Sequence, residues 1–452
     1  MFTVTNPATG EVLDRIEEDT PASIAEKFTR ARAAQKGWAK RPIEERLAAI
    51  RCFGALLQKR RDFLANILTR EVGKPVTQSR NELEAMQPRI DFFLRNTARV
   101  IAEERVHDDP EEIIVHEPLG VIANISAWNY PYFTGSNVFL PALLTGNAVL
   151  YKPSEFASLT GLAIRDLLHE AGIPADVFIA ILGDGRAGAE LVRQPVDGLF
   201  FTGSSATGRK IAAAARMIKV QLELGGKDPV YVCDDVDVRG AAEATADGAF
   251  YNAGQSCCAV ERLYVQLRVF EPFVEAFVNT VRGFVVGDPL DPKTYIGPLT
   301  RDSQREVLER QISDATAKGA KILCGGKRLA RPGAFFDPTV LVDVDSTMEV
   351  MREETFGPLI AIQGVSSDDE AVALMNDTEY GLTAGVYSRA RDRAARILDR
   401  VNVGTVYWNC CDRVSPRLPW SGRGRSGIGL TLSTYGIQAF VRPKAWHLKS
   451  LI

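Results

Sequence analysis

Cys257 is the side chain of this sequence best suited to act as a nucleophile. It follows the small, flexible stretch Asn252-Ala-Gly-Gln-Ser at the end of a helical run. Backbone N–H dipoles at such a position can stabilise a thiolate. A free cysteine that nothing accompanies is more often a small core residue. Cys257 alone therefore leaves a catalytic and a structural interpretation open.

Two further side chains could assist such a thiolate. Glu223 lies beside two glycines in Glu-Leu-Gly-Gly-Lys, a setting that suits a base close to a flexible backbone. A helix cap or an interdomain hinge explains the same residues. Asn129 lies where a strand runs into an aromatic loop, and its amide N–H could donate to a developing oxyanion. Because Asn is common where strands end, a loop-capping role for Asn129 stays open as well.

Two strand ends carry residue types that can bind a dinucleotide. Lys152 ends one strand and Glu155 follows it closely, and a carboxylate at such a junction can accept both hydroxyls of an adenosine ribose. Gly203 and Ser204 form a tight turn between a strand and a helix, where backbone N–H groups can bind a pyrophosphate. The turn lacks the GxGxxG spacing. A solvated glutamate at a helix start also accounts for Glu155.

Two later segments could complete a cofactor and substrate site. Glu354 and Phe356 combine an acidic side chain with an aromatic ring, a pair that could hold a second ribose and pack on a flat ring. Trp408-Asn-Cys-Cys-Asp412 precedes a glycine-rich stretch at 419–427, which is compatible with a loop at the rim of a pocket. Glycine-rich loops serve many purposes, so the role of this segment stays open.

The composition excludes several classes of protein. The 452 residues are two to three times the length of a usual domain, so at least two hydrophobic cores are expected. The net charge is -3 and the basic residues are dispersed, so neither nucleic acid nor an anionic membrane is a favoured partner. No apolar run approaches the roughly 18 residues that span a bilayer, and the N-terminus has no basic or apolar leader. We therefore expect a cytoplasmic protein.

The cysteines and histidines argue against other kinds of site. The seven cysteines are scattered without CxxC pairs, which argues against a disulfide framework and against a structural zinc site. The four histidines are isolated from one another and lie in no recognisable metal or catalytic motif. The sequence therefore predicts no metal, and chemistry that works without histidine.

The elements that must position these residues are helices followed by alternating strands and helices. Apolar residues recur at helical spacing from Ile43 to Leu68, with Gly73 and Pro75 as a stop. Alternation then indicates a largely parallel, doubly wound sheet, and it restarts after Pro229. We predict an α/β fold of two doubly wound domains, with a hinge near 225–226. The predicted strands are 113–116, 121–125, 148–151, 178–182, 199–202, 230–233, 263–266, 359–365 and 383–387, and the predicted helices include 159–171, 186–193 and 241–251.

Each motif alone has a structural explanation, but the ordered co-occurrence of all seven segments is hard to obtain by chance. Together they resemble the aldehyde dehydrogenase superfamily along essentially the whole chain, from Asn6 to about Val441. The most specific motifs are Glu-Leu-Gly-Gly-Lys at 223–227 and Gly-Gln-Ser-Cys at 254–257. Their separation in the chain also matches the spacing that the family has.

The resemblance implies a role for each matched residue. Cys257 corresponds to the nucleophile, Glu223 to the general base and Asn129 to the amide of the oxyanion hole. The cofactor is expected to be NAD, with NADP as the alternative. The matched cofactor-binding residues are Trp128, Lys152, Ser154, Glu155, Gly203, Ser204, Leu224, Glu354 and Phe356. The predicted substrate-pocket residues are Tyr130, Tyr132, Cys258 and Cys411.

The implied reaction is the oxidation of an aldehyde to a carboxylic acid. The Cys257 thiolate adds to the carbonyl, because hydride leaves readily only from a tetrahedral carbon that bears an oxyanion. Water activated by Glu223 then hydrolyses the thioester. Alternatives are a phosphorylating or CoA-acylating dehydrogenase, a cysteine hydrolase and a non-catalytic descendant. A water-activating base argues against an acyl-transferring dehydrogenase. The ribose contacts and the missing His partner argue against a cysteine hydrolase. The intact Cys257 and Glu223 argue against a non-catalytic descendant.

The motifs leave the choice of aldehyde open. Arg413 or Arg417 could meet a carboxylate at the mouth of the tunnel, so an enzyme specific for a semialdehyde is the alternative to a general one. The chain departs from the family pattern at Cys258, which follows the nucleophile, and at Asp228, where Ser or Asn is commoner. A partly apolar, aromatic tunnel is predicted from Trp128, Tyr130, Tyr132 and Cys258.

The resemblance also implies domains and an assembly. Residues 1–100 and 119–225 are expected to form an NAD-binding domain, and residues 226–428 a catalytic domain. Residues 101–118 and 429–452 are expected to form a small β arm and a C-terminal strand through which family members pair. The expected partners are a small-molecule aldehyde and further copies of the chain, as a homodimer or homotetramer, with no nucleic acid and no membrane.

Overall fold

A computed structural model of the chain describes residues 1–108, 110–215 and 217–449. Its α-helices are, in chain order, α1 (Pro21–Ala39), α2 (Ile43–Lys59), α3 (Arg61–Val72), α4 (Val76–Glu84), α5 (Met86–Val100), α6 (Pro131–Leu144), α7 (Ser158–Glu170), α8 (Gly185–Arg193), α9 (Ser205–Ala214), α10 (Val238–Phe250), α11 (Phe270–Arg282), α12 (Gln304–Ala317), α13 (Asp368–Asn376), α14 (Arg391–Leu398) and α15 (Ser433–Gln438). Its β-strands are β1 (Phe2–Thr5), β2 (Val12–Ile16), β3 (Glu104–Asp108), β4 (Glu111–Pro118), β5 (Val121–Ile125), β6 (Ala148–Lys152), β7 (Phe178–Ala180), β8 (Gly198–Thr202), β9 (Lys219–Glu223), β10 (Pro229–Val232), β11 (Arg262–Gln266), β12 (Lys321–Cys324), β13 (Thr339–Val342), β14 (Leu359–Val365), β15 (Tyr380–Gly381), β16 (Thr383–Tyr387), β17 (Thr405–Trp408), β18 (Arg423–Gly424), β19 (Gly427–Ile428) and β20 (Val441–Leu448).

A six-stranded sheet carries the predicted cofactor residues. Its strand order is β19-β9-β8-β5-β6-β7, in which β5 to β9 run parallel to one another and β19 is antiparallel to β9. The chain order reverses between β5 and β8, because β6 and β7 lie on one side of β5 while β8 and β9 lie on the other. Open α/β sheets bind ligands beyond the carboxyl ends of the strands at such a switch point.

Helices cover both faces of this sheet. On one face Ile122 and Phe178 pack with Phe53 and Phe139 of α2 and α6. On the other face residues of β5 pack with α1 and α8 through side chains such as Ile24. Every residue of β5 and of β6 is buried, because parallel strands covered on both faces alternate between two cores rather than between core and solvent. No helix of the described residues is long and apolar enough to cross a membrane.

A seven-stranded sheet forms the second α/β unit. Its order is β12-β13-β14-β11-β10-β16-β17, and β12 is the antiparallel member. Helices α10 and α11 cover one face, and α12, α13 and α14 cover the other. The chain passes from the first sheet to the second between β9 and β10, where the hinge was predicted. The predicted α/β class with two doubly wound sheets is confirmed.

A three-stranded antiparallel sheet of order β20-β4-β3 lies apart from both parallel sheets. β20 pairs with β4 along its whole length, from Val441 opposite Pro118 to Leu448 opposite Glu111. The predicted strand at 113–116 therefore belongs to this sheet and not to a parallel one, because both neighbours of β4 are antiparallel. Asp109 and residues 450–452, which fall in the predicted oligomerisation segments, lie outside the described residues.

The predicted boundary at 428/429 needs a correction, because the chain has returned to the first sheet before β20 begins. β19 extends that sheet by pairing Gly427 with Glu223. Ile437 and Phe440 are fully buried in the core around α5 and α6, and the Phe440 ring stacks on Phe200 at 4.4 Å. The apolar face of α15 thus packs with the first sheet, and of residues 429–449 only β20 belongs to the three-stranded sheet with β3 and β4.

Candidate active site

Cys257, Glu223 and Asn129 line one pocket of about 280 Å³. Asn129 follows β5, Glu223 ends β9, and Cys257 lies after α10 and the 3-10 turn Tyr251–Gly254. The first two come from the cofactor sheet and the third from the second unit. The pocket therefore brings all three predicted catalytic residues together where the two sheets meet.

The loop before Cys257 has an unusual backbone. Asn252, Ala253 and Gly254 all have positive φ, at 54°, 55° and 70°, a conformation that non-glycine residues adopt rarely. Hydrogen bonds to the Asn252 side chain and backbone hold it, because Nδ2 donates to the Asn129 carbonyl at 3.3 Å and the backbone N donates to Gln78 Oε1 at 2.9 Å. A Cβ at Gly254 would lie 2.3 Å from the Gly357 carbonyl oxygen. These contacts fix the loop that precedes Cys257. The Cys257 side chain itself stays partly exposed.

Asn129 is held against the same loop. Its side chain is buried, and Nδ2 donates to the Gln255 carbonyl at 3.1 Å. A carboxamide nitrogen carries two hydrogens. One N–H therefore fixes the amide to the cysteine loop, and the second is available to an oxygen bound in the pocket.

Glu223 is buried and accepts hydrogen bonds through Oε1. The Thr431 hydroxyl and the Gln221 amide, the latter at 3.1 Å, donate to it. Burial raises the pKa of Glu223 to about 7, while the bonds from Thr431 and Gln221 and the nearby Arg89 oppose that rise. A carboxylate with a pKa near neutrality can both take a proton from water and release it again at physiological pH.

Cys258 has a different environment from Cys257. It is buried, and its S–H donates to Asp412 Oδ1 at 2.9 Å. The hydrogen bond with Cys257, burial and the Asp412 carboxylate all raise the pKa of the Cys258 thiol well above its usual value. A thiol is nucleophilic only as the thiolate. Cys258 therefore lies in the wall of the pocket as a protonated thiol.

Two of the predicted pocket residues lie elsewhere. Tyr130 and Cys258 line the pocket, but Tyr132 and Cys411 do not. Tyr132 is the second residue of α6 and is fully buried in the core beneath the first sheet. Cys411 is buried against α10, where a Cβ at Gly248 would lie 2.3 Å from its sulfur. Packing of α6 and α10 explains both differences.

Sequence reasoning missed the wall that α4 and α5 form. Charged and polar residues recur there at one-turn spacing, and that spacing is the signal that could have found them. Gln78, Glu82 and Arg89 are buried, and the burial of a charged residue on a helix cannot be seen in a sequence. The pocket residues from α4, α5 and the position between them are Gln78, Asn81, Glu82, Ala85 and Arg89, of which Asn81 and Ala85 are exposed.

A second cavity of about 530 Å³ lies at the carboxyl ends of β5, β6 and β8, at the switch point of the first sheet. Thr202 lines both this cavity and the Cys257 pocket, so the two adjoin. At Gly185 a Cβ would meet nothing within 4 Å, and the bare backbone leaves the cavity open there. The predicted cofactor residues that line it are Trp128, Lys152, Ser154, Glu155 and Gly203.

Lys152 and Glu155 form a polar pair in this cavity. Lys152 is buried, and its Nζ lies 3.4 Å from Glu155 Oε2. Burial lowers the pKa of Lys152, and the Glu155 carboxylate opposes that shift. Ser154 Oγ also donates to Glu155 at 3.3 Å. The Glu155 side chain keeps 34% of its surface exposed, so a diol in the cavity can reach the carboxylate.

Ser204 and Leu224 support the cavity from outside its lining. Ser204 caps α9 by accepting a hydrogen bond from the Thr207 backbone N at 3.3 Å. Leu224 packs on the same helix, where a Cβ at Gly208 would lie 2.4 Å from its side chain. They fix the helix start that faces the cavity, and a helix N-terminus attracts phosphate.

Glu354 and Phe356 reach the site from the second unit. Glu354 Oε1 accepts a hydrogen bond from the Gly226 backbone at 3.1 Å. Burial, followed by the nearby Glu261 carboxylate, raises the pKa of Glu354 to about 8. The Phe356 ring packs edge-on against Trp128, with centroids 5.6 Å apart. The two residues line neither cavity, but Phe356 packs on Trp128 of the cofactor cavity.

Lys227 and Glu261 hold the Glu354–Phe356 segment in place. Its Nζ donates to Glu261 Oε2 at 2.5 Å and to Thr355 Oγ1 at 2.9 Å. Glu261 in turn accepts the backbone N–H of Thr355 at 2.8 Å and of Phe356 at 3.0 Å. The Glu-Leu-Gly-Gly-Lys motif thus carries the proposed base at one end and the anchor of a cofactor segment at the other.

Asp228 contacts the second sheet rather than either cavity. It is buried, and Thr383 Oγ1 of β16 donates to its Oδ2 at 2.6 Å. Burial raises the pKa of Asp228 well above its usual value. The residue therefore ties the start of β10 to β16 and has a structural role.

The cavity fits a nicotinamide dinucleotide. It has a buried cation, an accessible carboxylate, a capped helix start and an open glycine backbone at the switch point, and it adjoins a cysteine pocket. Among residues 1–108, 110–215 and 217–449, no group of three His, Cys, Asp or Glu side chains could hold a metal ion. The class that fold and site define is a nicotinamide-dependent dehydrogenase that works through a cysteine.

Comparison with known proteins gives the family. A family model described as Aldehyde dehydrogenase family matches residues 1–446. The succinate-semialdehyde dehydrogenase, NADP(+), of Deinococcus radiodurans is 36% identical over 447 residues, which cover 98% of this chain and 94% of the relative. The chloroplastic betaine aldehyde dehydrogenase of Amaranthus hypochondriacus is 34% identical over 457 residues, covering 98% of this chain and 91% of the relative. The crystal structure of Staphylococcus aureus betaine aldehyde dehydrogenase in complex with NAD+ has a TM-score of 0.96 and 31% identity, covering 100% of this chain and 92% of that one.

The chain belongs to the aldehyde dehydrogenase family. The resemblance seen in the sequence is confirmed, and with it the reaction class, which is the oxidation of an aldehyde with NAD or NADP.

Proposed function

We propose that this chain oxidises its aldehyde through a covalent adduct on Cys257, with hydrolysis of the acyl group by water. The observation that carries the proposal is the adjacency of the two cavities, which share Thr202. One holds a cysteine, a base and an amide, and the other has the features of a dinucleotide site. An aldehyde bound to Cys257 would then lie beside the reactive end of the cofactor.

Cys257 begins the reaction by adding its sulfur to the carbonyl carbon. The new tetrahedral carbon bears an oxyanion, and the free N–H of Asn129 and the Cys257 backbone N–H are the donors for it. The buried position of Asn129 supports this role, because a preorganised donor in a site that excludes water stabilises developing charge strongly. When bound, NAD supplies the hydride acceptor.

Glu223 acts on the acyl group that remains on Cys257 as a thioester. It takes a proton from water, the resulting hydroxide adds to the acyl carbon, and the carbon–sulfur bond breaks to release the acid. The raised pKa of Glu223 supports this assignment, because a base with a pKa near 7 balances proton affinity against availability. Transfer of the acyl group to CoA or phosphate would not require such a base.

Lys152 and Glu155 are proposed to hold the adenosine ribose, with Glu354 on the second ribose and Phe356 against the nicotinamide ring. The position of Glu155 supports NAD rather than NADP. NADP carries a phosphate where NAD has a 2′-hydroxyl, and a carboxylate repels that phosphate. Lys152, at 3.4 Å from Glu155, offsets part of the repulsion.

We further propose a homo-oligomer that pairs through the three-stranded arm. β3 is exposed along its whole length and β20 from Arg442 to Leu448, and unpaired sheet edges of this kind favour pairing with another chain. The NAD-binding domain would comprise residues 1–100, 119–225 and the returning segment 427–440, and the catalytic domain the residues between. All seven cysteines are unpaired, which supports a reducing compartment such as the cytoplasm.

The direct test is the formation of NADH or NADPH from a panel of aldehydes by the purified chain, with the acid product quantified. Free acid should appear in proportion to reduced cofactor, without CoA or phosphate. Cofactor reduction that requires CoA or phosphate would favour an acyl-transferring enzyme. The absence of reduction with every aldehyde and both cofactors would refute the proposed function.

A further inference from the structure

Arg89 is a buried cation that makes no hydrogen bond or ion pair with the described residues. It lies on α5 in the wall of the Cys257 pocket and keeps only 2% of its surface exposed. Its Nε is buried without a hydrogen-bond partner, and the described residues offer its guanidinium neither a hydrogen bond nor an ion pair. Burial lowers the pKa of Arg89 to about 10, which still leaves the side chain charged at neutral pH. A charged group that is removed from water without a partner is costly.

The guanidinium is nevertheless held in place. Its central carbon lies 4.1 Å from the centroid of the Phe133 ring on α6, within the range of a cation–π contact. Stacking covers one face of the planar group and leaves the N–H donors at its edge free. The contact therefore orients Arg89 without using its hydrogen bonds.

Asn137 places a second unused polar group in the same wall. It is one helical turn from Phe133 on α6, lines the pocket and is 5% exposed. Its Oδ1 is buried without a hydrogen-bond partner. Its Nδ2 makes no hydrogen bond with the described residues and is not among the fully buried atoms, so Asn137 can offer an N–H to a ligand in this pocket.

The acids of the pocket are already engaged. Glu82 accepts hydrogen bonds from Lys74 Nζ and, at 2.9 Å, from the Tyr132 backbone. Asp412 accepts from the Cys258 thiol and the Ser256 hydroxyl. Glu223, the third carboxylate of the pocket, accepts from Thr431 and Gln221 through Oε1 and attracts the Arg89 charge without a hydrogen bond. The Arg89 guanidinium thus keeps its N–H donors unused, and these donors match an anion.

We propose that Arg89 selects aldehydes that carry a carboxylate at the end remote from the carbonyl. The Arg89 guanidinium would donate two N–H groups to the two carboxylate oxygens, as arginine does in fork-like pairs, and Asn137 would add a third donor. The carbonyl would then lie at Cys257 in the same pocket. The inference rests on the proposed function and names the substrate class that this site prefers.

Arg89→Met tests the selection. The comparison is kcat/KM for a series of ω-carboxyaldehydes against uncharged aldehydes of equal length. The rates are compared at alkaline pH, where Glu223 is a carboxylate with or without the Arg89 charge. Wild type should prefer the carboxyaldehydes, and Arg89→Met should lose about 10- to 100-fold in kcat/KM for them, mostly through KM, with less than about a threefold change for uncharged aldehydes. Arg89→Lys, which keeps the charge without the planar fork, should recover part of the loss.

Arg95→Met is the matched control. Arg95 lies on the same helix, is exposed, and its Nε donates to the Asp91 carbonyl of α5 itself. Its replacement should leave both substrate classes unchanged. An unchanged ratio of the two classes in Arg89→Met, or a wild-type preference for aldehydes with a quaternary ammonium group, would overturn the inference while leaving the proposed function intact.

Binding of butyrate measured by calorimetry gives a readout that does not depend on turnover. Wild type should bind butyrate more tightly than butyramide, and Arg89→Met should remove the difference. Butyrate binding by a wild type that oxidises no aldehyde would uphold the anion site and refute the proposed function. Equal binding of butyrate and butyramide by a wild type that oxidises aldehydes would refute only the anion site.

Discussion

The Cys258 thiol donates a hydrogen bond to Asp412 at 2.9 Å, directly beside the partly exposed Cys257. Two consecutive cysteines in one pocket thus lie in different environments. Burial raises the pKa of Asp412 to about 6, so at neutral pH this residue is mostly an acceptor that keeps the Cys258 proton in place. This difference supports the proposal that Cys257, and not Cys258, is the nucleophile.

Replacement of each cysteine in turn tests which of the two is the nucleophile. Cys257→Ala should abolish aldehyde-dependent NADH formation, because no sulfur remains to form the adduct. Cys258→Ala should keep most of the activity, since it removes a protonated wall group. Steady-state rates with one aldehyde are sufficient, and loss of activity in Cys258→Ala alone would reverse the assignment.

Glu223→Gln should separate the two halves of the reaction. Hydride transfer should proceed once, because it precedes hydrolysis, so stopped-flow absorbance should give a burst of NADH of at most about one equivalent per site and then a slow phase. If Glu223 also helps to deprotonate Cys257, the burst itself is slowed. An undiminished steady rate would require another base, and Glu354 would be the residue to replace next.

The raised pKa of Glu223 predicts how the rate of thioester hydrolysis depends on pH. Glu223 acts as a carboxylate, so the rate of thioester hydrolysis should fall as pH decreases through about 7, where burial holds its pKa. Thr431→Val removes a hydrogen bond that stabilises the carboxylate and should shift the limb of the profile to higher pH. If the hydrolysis rate instead fell only near the usual pKa of glutamate, Glu223 would be more hydrated during turnover than its burial implies.

Lys227→Met should disturb the cofactor side of the site. The substitution leaves the buried Glu261 without its cation, and loss of one partner of a buried pair costs about 3–5 kcal/mol of unfolding free energy. KM for NAD should rise, because Glu261 also anchors the Thr355 and Phe356 backbone. Adding Glu261→Gln to Lys227→Met should restore part of the stability, measured by urea unfolding. A double variant no more stable than the single one would contradict the role of the pair.

Cofactor choice should depend on Glu155. Like charges about 4 Å apart repel by about 4 kcal/mol at an effective dielectric near 20. Screening and the nearby Lys152 reduce this, so wild type should favour NAD over NADP by about 10- to 100-fold in kcat/KM. Glu155→Gln should improve the use of NADP. Equal use of both cofactors by wild type would exclude Glu155 as the selector.

Assembly should depend on the exposed face of β20. Trp446 is 44% exposed on this strand, and Trp446→Asp should shift the mass in solution towards that of one chain, measured by light scattering. Ile322→Asp is the control, since Ile322 is 41% exposed on β12 of the other sheet and should not change the mass. An active wild-type monomer would contradict pairing through the arm.

The sequence by itself determined the chemistry that is local in the chain. This chemistry depends on short runs of consecutive residues. Examples are the strand ends, the glycine pair after Glu223 and the short flexible stretch before Cys257. The alternation of strands and helices that indicated two doubly wound sheets is also a local pattern. These features could be predicted because each depends on neighbours a few residues away.

Only the tertiary structure decided which similar residues face the site. Tyr130 and Tyr132 are two positions apart, yet the start of α6 turns one towards the pocket and the other into the core. The Thr431 hydroxyl meets Glu223 across 208 residues of sequence, and Arg89 is buried because α5 packs against α6. Such long-range packing determines burial, and burial raises the pKa of Glu223 and leaves Arg89 without a hydrogen bond or ion pair among the described residues. Residue types and spacing do not encode that information locally.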